Sequence, residues 1–210
     1  MTTVGEEIHS AGITAVSRRL QKYLKKLVAA LPRLEKSEKE MVLEVTSLAN
    51  LLEQRDCVLG SESGRLGLLS EFPDLRSRLV VKLSQEIDGK VLSLGEHCDY
   101  LQELHAVALK GREEVAVLCH QYQQHLDPTS LRQGEATTPP LSVMLGWMVE
   151  MEVQLREQYA SRQQYLASLA DGAGPVTSEN LPALWGEGFD QLLTLLQDCR
   201  EQGKFFLAEK

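Results

Sequence analysis

The feature that most constrains this chain is an uninterrupted heptad spacing between Val80 and Leu126. Steps of three or four residues pass through Leu83, Ile87, Val91, Leu94, Cys98, Leu101, His105, Ala108, Arg112, Val115, Cys119, Tyr122 and Leu126. An α-helix is the only regular structure that gathers such positions on one face. No proline interrupts the run, so the spacing predicts a helix of about 50 residues, roughly 75–80 Å long. A helix of this length must bury its stripe against other helices, which is typical of an interaction protein.

Composition and charge limit the classes of function. The low aromatic content of 5% and the abundance of Leu, Glu, Gln and Ala suit a helical bundle better than a sheet. The net charge of −8 argues against a general nucleic-acid binder, which needs clustered Lys and Arg. The charge is uneven: residues 1–40 hold eight Lys/Arg against five Asp/Glu, and residues 147–210 hold five against ten. The basic cluster between Arg18 and Lys26 could be a nuclear address or a nucleic-acid patch, although a solvated helix face is the preferred interpretation.

The spacing of apolar residues, prolines and glycines predicts five helical segments. They cover about 6–31, 33–57, 73–126, 139–169 and 182–208, and Pro32 either starts a new helix or kinks a continuing one. Residues 60–67 and 171–175 are loops by composition, and 128–138 form a polar linker. No segment shows the alternation typical of strands. The fold class predicted is all-α, an elongated antiparallel helical bundle with one very long central helix.

The corresponding domain organisation has three parts. Residues 1–127 hold the N-terminal helices and the long central helix, 128–138 are the linker, and 139–210 form a C-terminal helical hairpin. The hairpin is expected to pack as one domain with the rest. The N-terminus lacks the profile of a signal peptide, no apolar run reaches the length of a membrane span, and the four cysteines are widely spaced. An intracellular, reduced protein without membrane contact is the expectation.

The sequence contains no recognisable catalytic, cofactor or metal motif. Cys98 and His105 are seven residues apart, about 10 Å along a helix, which is too far to share one zinc ion. Cys98 and Cys119 are therefore interpreted as small core residues. Phosphate-binding glycine loops and the hydrolase nucleophile elbow are absent. We predict a protein that is not an enzyme and binds neither cofactor nor metal.

The helix that begins at Pro139-Pro140 carries the candidate partner-binding residues. Met144, Met148 and Met151 could form an adaptable surface, but ordinary bundle core is the preferred interpretation. Trp147 lies one step off this stripe, so it either widens the core face or faces a partner. Aromatic and Arg side chains are enriched at the energetic centres of interfaces. The candidate partner-binding residues are Trp147, Tyr159, Arg162 and Tyr165.

Three stretches of the chain together resemble one known family. Phe72-Pro73-Asp74-Leu75-x-x-Arg78-Leu79 resembles the start of that family's long helix. Met144-Leu145-x-Trp147 followed by Glu152, Tyr159, Arg162, Tyr165 and Leu166 is similar to its next helix. Leu181-Pro182-x-x-Trp185 and Phe205-Phe206-Leu207-x-Glu209 resemble its C-terminal helix. The family is the ribosome maturation factor that partners Afg-two-type AAA+ ATPases.

The resemblance implies an adaptor in an assembly with two related AAA+ ATPases and a co-adaptor, the cyclin-dependent kinase-two-interacting protein. It implies release of a recycling biogenesis factor from cytoplasmic precursors of the large ribosomal subunit, which the chain would contact indirectly. It also implies a role on chromatin in replisome protein turnover during DNA replication, and hence a location in both cytoplasm and nucleus. No direct sequence-specific nucleic-acid binding is expected. The heptads alone would also permit the alternative of a coiled-coil subunit of a cytoskeletal or vesicle-tethering complex.

Overall fold

The protein is an all-α helical bundle, as predicted. The computed structural model describes residues 4–60, 73–134, 137–171 and 176–208, and within these ranges there is no strand. The helices are α1 (Val4–Gly60), α2 (Pro73–Gln121), α3 (Pro128–Leu131), α4 (Leu141–Asp171), α5 (Leu181–Gly186), α6 (Phe189–Gln202) and α7 (Lys204–Ala208). None of the helices in the described ranges has the combination of length and apolar composition that a membrane span requires.

Helix α1 runs without interruption through Pro32, so the chain has two very long helices rather than one. Pro32 removes one backbone hydrogen bond, and the helix continues because apolar packing on both sides of it outweighs that loss. Leu31 and Leu34 are fully buried, whereas Pro32 lies on the exposed face. Of the two outcomes left open for Pro32, the continuing helix is the one observed. Most of the predicted loop at 60–67 lies outside the described residues, as does 172–175 of the loop at 171–175.

Helix α2 begins at Pro73 as predicted and ends earlier than the heptad spacing suggests. It stops at Gln121, and Tyr122–His125 form a turn. Part of the predicted linker is helical, because the carboxylate of Asp127 accepts a hydrogen bond of 3.2 Å from the backbone N–H of Ser130. With Pro128 in its first turn, α3 has the two features typical of a helix start.

The predicted last helix is divided into α5, α6 and α7. Gly188 separates α5 from α6 with a backbone φ of +74°, a conformation that is strained for residues with a side chain. A Cβ atom at Gly188 would also lie 3.0 Å from Nε2 of Gln158. Gly203 follows α6, and its N–H donates to the carbonyl of Cys199.

The chain divides into two compact units. Unit 1 comprises residues 1–35, 101–158 and 188–210, and unit 2 comprises residues 36–100 and 159–187. Parts of α1, α2 and α4 belong to each unit, so both contain residues from the N-terminal and the C-terminal half of the chain.

The core of unit 1 includes the methionine stripe of α4. Met144, Met148 and Met151 are no more than 1% exposed, which confirms that they are bundle core. The other buried apolar residues of this unit include Val16, Leu20, Leu24, Leu27, Leu101, Ala108, Val115, Leu155, Phe189, Leu192 and Leu196.

The core of unit 2 contains an apolar cluster of buried residues. It contains Met41, Val45, Leu48, Leu52, Ile87, Leu94, Cys98, Leu166, Leu181 and Trp185. Cys98 is fully buried within it, which confirms its interpretation as a core residue. Every member from α2 except Cys98 is aliphatic, and all of them occupy the predicted heptad positions.

Candidate partner-binding site

The four candidate partner-binding residues belong to different units. Trp147 lies in unit 1, and Tyr159, Arg162 and Tyr165 lie in unit 2. Tyr159 and Tyr165 are half-buried and pack against the unit 2 core. Arg162 is 1% exposed and Trp147 is 8% exposed. Contact of these residues with a partner stays a prediction, and the structure shows what each of them does within the chain.

Arg162 is the centre of a buried polar network in unit 2. Its Nη1 lies 2.7 Å from Nε2 of His97, and its Nη2 donates to Oε1 of Glu38 at 2.9 Å and to the carbonyl of Trp185 at 3.1 Å. The guanidinium carbon lies 4.9 Å from the centre of the Trp185 ring, in cation–π geometry. A buried charge costs little only when it is paired and hydrogen-bonded, and Arg162 meets both conditions. Its guanidinium therefore holds α1, α2, α4 and α5 together within this unit.

His97 is the neutral member of this network. Burial first and the positive charge of Arg162 second lower the pKa of His97 from 6.5 to about 4. Because Nε2 accepts the hydrogen bond from Arg162, the ring proton must be on Nδ1. Nδ1 then donates to Oγ of Ser37, 2.6 Å away. The network thus has one assigned tautomer and one permanent cation.

A second buried network surrounds Glu152 in unit 1. The carboxylate of Glu152 accepts hydrogen bonds from Nε2 of His105 at 3.1 Å and from Nη1 of Arg112 at 2.8 Å. Arg156 lies 4.0 Å away, and the Glu152 side chain is only 2% exposed. These contacts give the carboxylate two hydrogen bonds and two cationic neighbours inside the helical bundle.

The sequence carried a signal for this second network that the prediction did not use. His105 and Arg112 both occupy positions of the apolar heptad stripe, seven residues apart. Polar side chains on a buried stripe require partners, so they indicate a buried acid on a neighbouring helix. The same reasoning fails for His97, which precedes Cys98 and lies off the stripe.

An open groove in unit 1 lies beside Trp147. It has a volume of about 560 Å³ and is lined by Trp147 and Glu150 of α4 and by residues of α6. The α6 residues are Asp190, Gln191, Thr194, Leu195 and Asp198. Glu150, Asp190 and Asp198 are exposed, and none of them forms an ion pair with another residue in the part of the chain that the structure describes. Sequence reasoning identified Trp147 but not the acidic residues of α6, because nothing in the sequence indicates which helix lies opposite it.

In the described part of the chain, the cysteines and histidines show no arrangement suited to a metal. All four cysteines have free thiols, and within the described ranges no group of three His, Cys, Asp or Glu side chains could hold an ion. Burial raises the pKa of Cys98 to about 11 and that of Cys199 to about 12. These two thiols are therefore protonated and unreactive at neutral pH.

The helices and their internal polar networks define an all-α helical-bundle protein. Residues 14–198 match the family model described as ribosome biogenesis protein C1orf109-like, and the chain belongs to this family. The match covers most of both units.

Two relatives agree with this assignment. The human AFG2-interacting ribosome maturation factor is 30% identical over 173 residues, which cover 79% of this chain and 81% of the human protein. The mouse protein of the same name is 25% identical over 166 residues, which cover 79% of this chain and 76% of the mouse protein. The resemblance seen in the sequence is thereby confirmed.

Proposed function

We propose that this chain is a non-catalytic adaptor subunit of an AAA+ ATPase assembly that acts in maturation of the large ribosomal subunit. The observation that carries the proposal is the family match over residues 14–198, together with relatives named for interaction with AFG2 and for ribosome maturation. The relatives are covered over about four-fifths of their length, so the likeness is not confined to one motif.

The geometry is compatible with an adaptor. In both described networks, Nη1 and Nη2 of Arg162 and the two carboxylate oxygens of Glu152 are engaged by neighbouring groups of the chain rather than directed at an open cavity. Such networks fix the relative positions of helices within a unit, which gives a partner a preorganised surface. ATP hydrolysis would then belong to the ATPase, and this chain would contribute recognition.

The finer features of the proposal come from the family resemblance. The chain would act with two related Afg-two-type ATPases and with the cyclin-dependent kinase-two-interacting protein as co-adaptor. The assembly would release a recycling biogenesis factor from cytoplasmic precursors of the large subunit. A second role in replisome protein turnover on chromatin would place the chain in the nucleus as well as the cytoplasm.

Affinity purification of the tagged full chain from cells tests the proposal. We expect the Afg-two-type ATPases and the co-adaptor to co-purify, and depletion of the chain to leave the recycling factor on cytoplasmic large-subunit precursors. Re-expression of the wild-type chain should restore release. Recovery of tethering or cytoskeletal subunits without an ATPase, or normal release in depleted cells, would refute the adaptor role.

A further inference from the structure

We infer that the groove beside Trp147 binds a basic segment of a partner protein, one that presents an Arg or Lys side chain next to an apolar residue. The inference rests on the proposed function in one respect, namely that the segment belongs to a subunit of the proposed assembly. The chemistry of the occupant follows from the groove itself.

The charge of the groove selects a cation. Glu150, Asp190 and Asp198 contribute three exposed carboxylates, and no Lys, Arg or His is among the lining residues. Within the described part of the chain these carboxylates have no ion-pair partner, unlike Glu152, which has two Arg neighbours. Three unpaired acids beside one groove create a negative potential that attracts a basic segment and disfavours an acidic one.

Trp147 is an independent feature that points to a ligand. Its side chain is more than nine-tenths buried, yet it lines the groove, and its indole N–H forms no hydrogen bond with any described residue. In contrast to Nε1 of Trp185, which is fully buried without a partner among the described residues, the N–H of Trp147 stays accessible at the groove and can donate to a backbone carbonyl of a bound segment.

The apolar and steric features of the groove specify a short peptide segment. Leu195 is half-buried at its wall, and the volume of about 560 Å³ is in the range of small-ligand pockets. That space admits a few side chains rather than a whole helix face. A basic side chain beside the three carboxylates, with an apolar neighbour on Leu195, would match both the charged and the apolar part of the groove.

Peptide binding to the purified full chain tests the inference without the ATPase. The probe is a fluorescein-labelled peptide of repeated Arg-Leu-Ala, and its control is the matching Glu-Leu-Ala peptide. We expect the arginine peptide alone to bind, with an affinity that falls as salt is added. Binding should also change tryptophan emission, and Trp147→Phe should abolish that change because the only other tryptophan, Trp185, is buried in unit 2.

Two matched double variants locate the site. Asp190→Asn with Asp198→Asn removes two groove carboxylates and should weaken peptide binding roughly fivefold. Glu157→Gln with Glu201→Gln removes the same charge from exposed positions of α4 and α6 outside the groove and should leave binding unchanged. All four residues are exposed, so both variants should fold normally, which circular dichroism checks.

Each result is decisive. Equal binding by both double variants, or no binding of the arginine peptide, would overturn the inference. The inference would also be overturned if the chain self-associates and the double variant Asp190→Asn, Asp198→Asn no longer does. The occupant of the groove would then be a second copy of the chain. If the wild-type chain captures the ATPase but binds no peptide, the groove inference fails alone. If it binds the peptide but captures no ATPase, only the proposed function fails.

Discussion

At the scale of single residues, the buried polar groups set how this bundle responds to change. Arg162 and Glu152 are each 1% exposed, and each is surrounded by groups of complementary charge or hydrogen-bonding capacity. Removing one member of such a network leaves its partner buried and unpaired, which typically costs about 3–5 kcal/mol. These side chains are therefore structural first, and a variant of Arg162 would report on folding before it reports on a partner.

His97 makes the stability of the protein depend on pH. The pKa of His97 is about 4 in the folded chain and 6.5 when unperturbed, so between these values the unfolded state binds a proton that the folded state does not. The contribution of His97 to the free energy of unfolding is fully present above pH 6.5 and is lost as the pH falls toward 4. The total loss is about 3 kcal/mol. Urea titrations at a series of pH values should show this loss in the free energy of unfolding.

The matched variants for this prediction are His97→Gln and His120→Gln. Glutamine at 97 can accept from Arg162 and donate to Ser37 without titrating, so the acid-dependent loss should shrink by about 3 kcal/mol. His120 is exposed on α2, and its replacement should leave the profile of the wild type. A His97→Gln profile that coincides with the wild-type profile would contradict the assigned neutral state.

At the scale of helices, one close approach fixes the packing of α1 on α2 in unit 1. A Cβ atom built on Gly111 would lie 2.7 Å from Cγ and 2.9 Å from Cβ of Tyr23. Tyr23 is 2% exposed, so its ring cannot move aside without disturbing the core. Glycine is present at 111 for lack of space, although it weakens the helix itself.

Two glycine-to-alanine substitutions separate helix propensity from packing. Gly111→Ala should lower the free energy of unfolding by about 1–3 kcal/mol despite the better helix propensity of alanine, because the added methyl overpacks the contact with Tyr23. At Gly146 in α4, no atom lies within 4 Å of an added methyl, so Gly146→Ala should raise the free energy of unfolding by about 1 kcal/mol. Thermal or urea unfolding measures both. Equal stabilisation by the two variants would show that α1 and α2 do not approach as described.

At the scale of the whole molecule, the net charge bears on which partners the chain attracts in the proposed assembly. The chain has a net charge of −8, and residues 147–210, which include the lining of the proposed groove, hold five Lys/Arg against ten Asp/Glu. The sequence contains no glycine-rich phosphate-binding loop. The net negative charge favours association with a basic partner over an acidic one.

We expect the purified chain to hydrolyse no ATP. A phosphate-release assay on the chain alone should match the buffer blank, whereas the reconstituted assembly should hydrolyse ATP through its ATPase subunits. A background activity that disappears on further purification would be a contaminant. ATP turnover that persists through purification and is abolished by a point substitution in this chain would refute the non-catalytic assignment.

The sequence predicted the helices well because their signals are local. The heptad positions of α2 recur in the observed cores, and Pro73 and Asp74 mark the observed start of that helix. The sequence left open whether the helix continues through Pro32, and it did not predict that the last helix is divided. Whether α1 continues through Pro32 depends on packing around Leu31 and Leu34, and the break at Gly188 depends on a close approach to Gln158. Gln158 lies on another helix, and what packs against Leu31 and Leu34 is likewise set by the tertiary structure, so the local sequence shows neither outcome.

By itself the sequence determined the all-α class, most helix positions, the family and the choice of Trp147 as a candidate site residue. These follow from side-chain periodicity and from motifs, which need no knowledge of what lies opposite. Only the tertiary structure decided that Arg162 pairs with His97 and Glu38 inside unit 2, and that Trp147 lines the same groove as three acids from two helices. The physical reason is that burial and electrostatics depend on neighbours across space, and helical periodicity reports only which side of a helix a residue occupies.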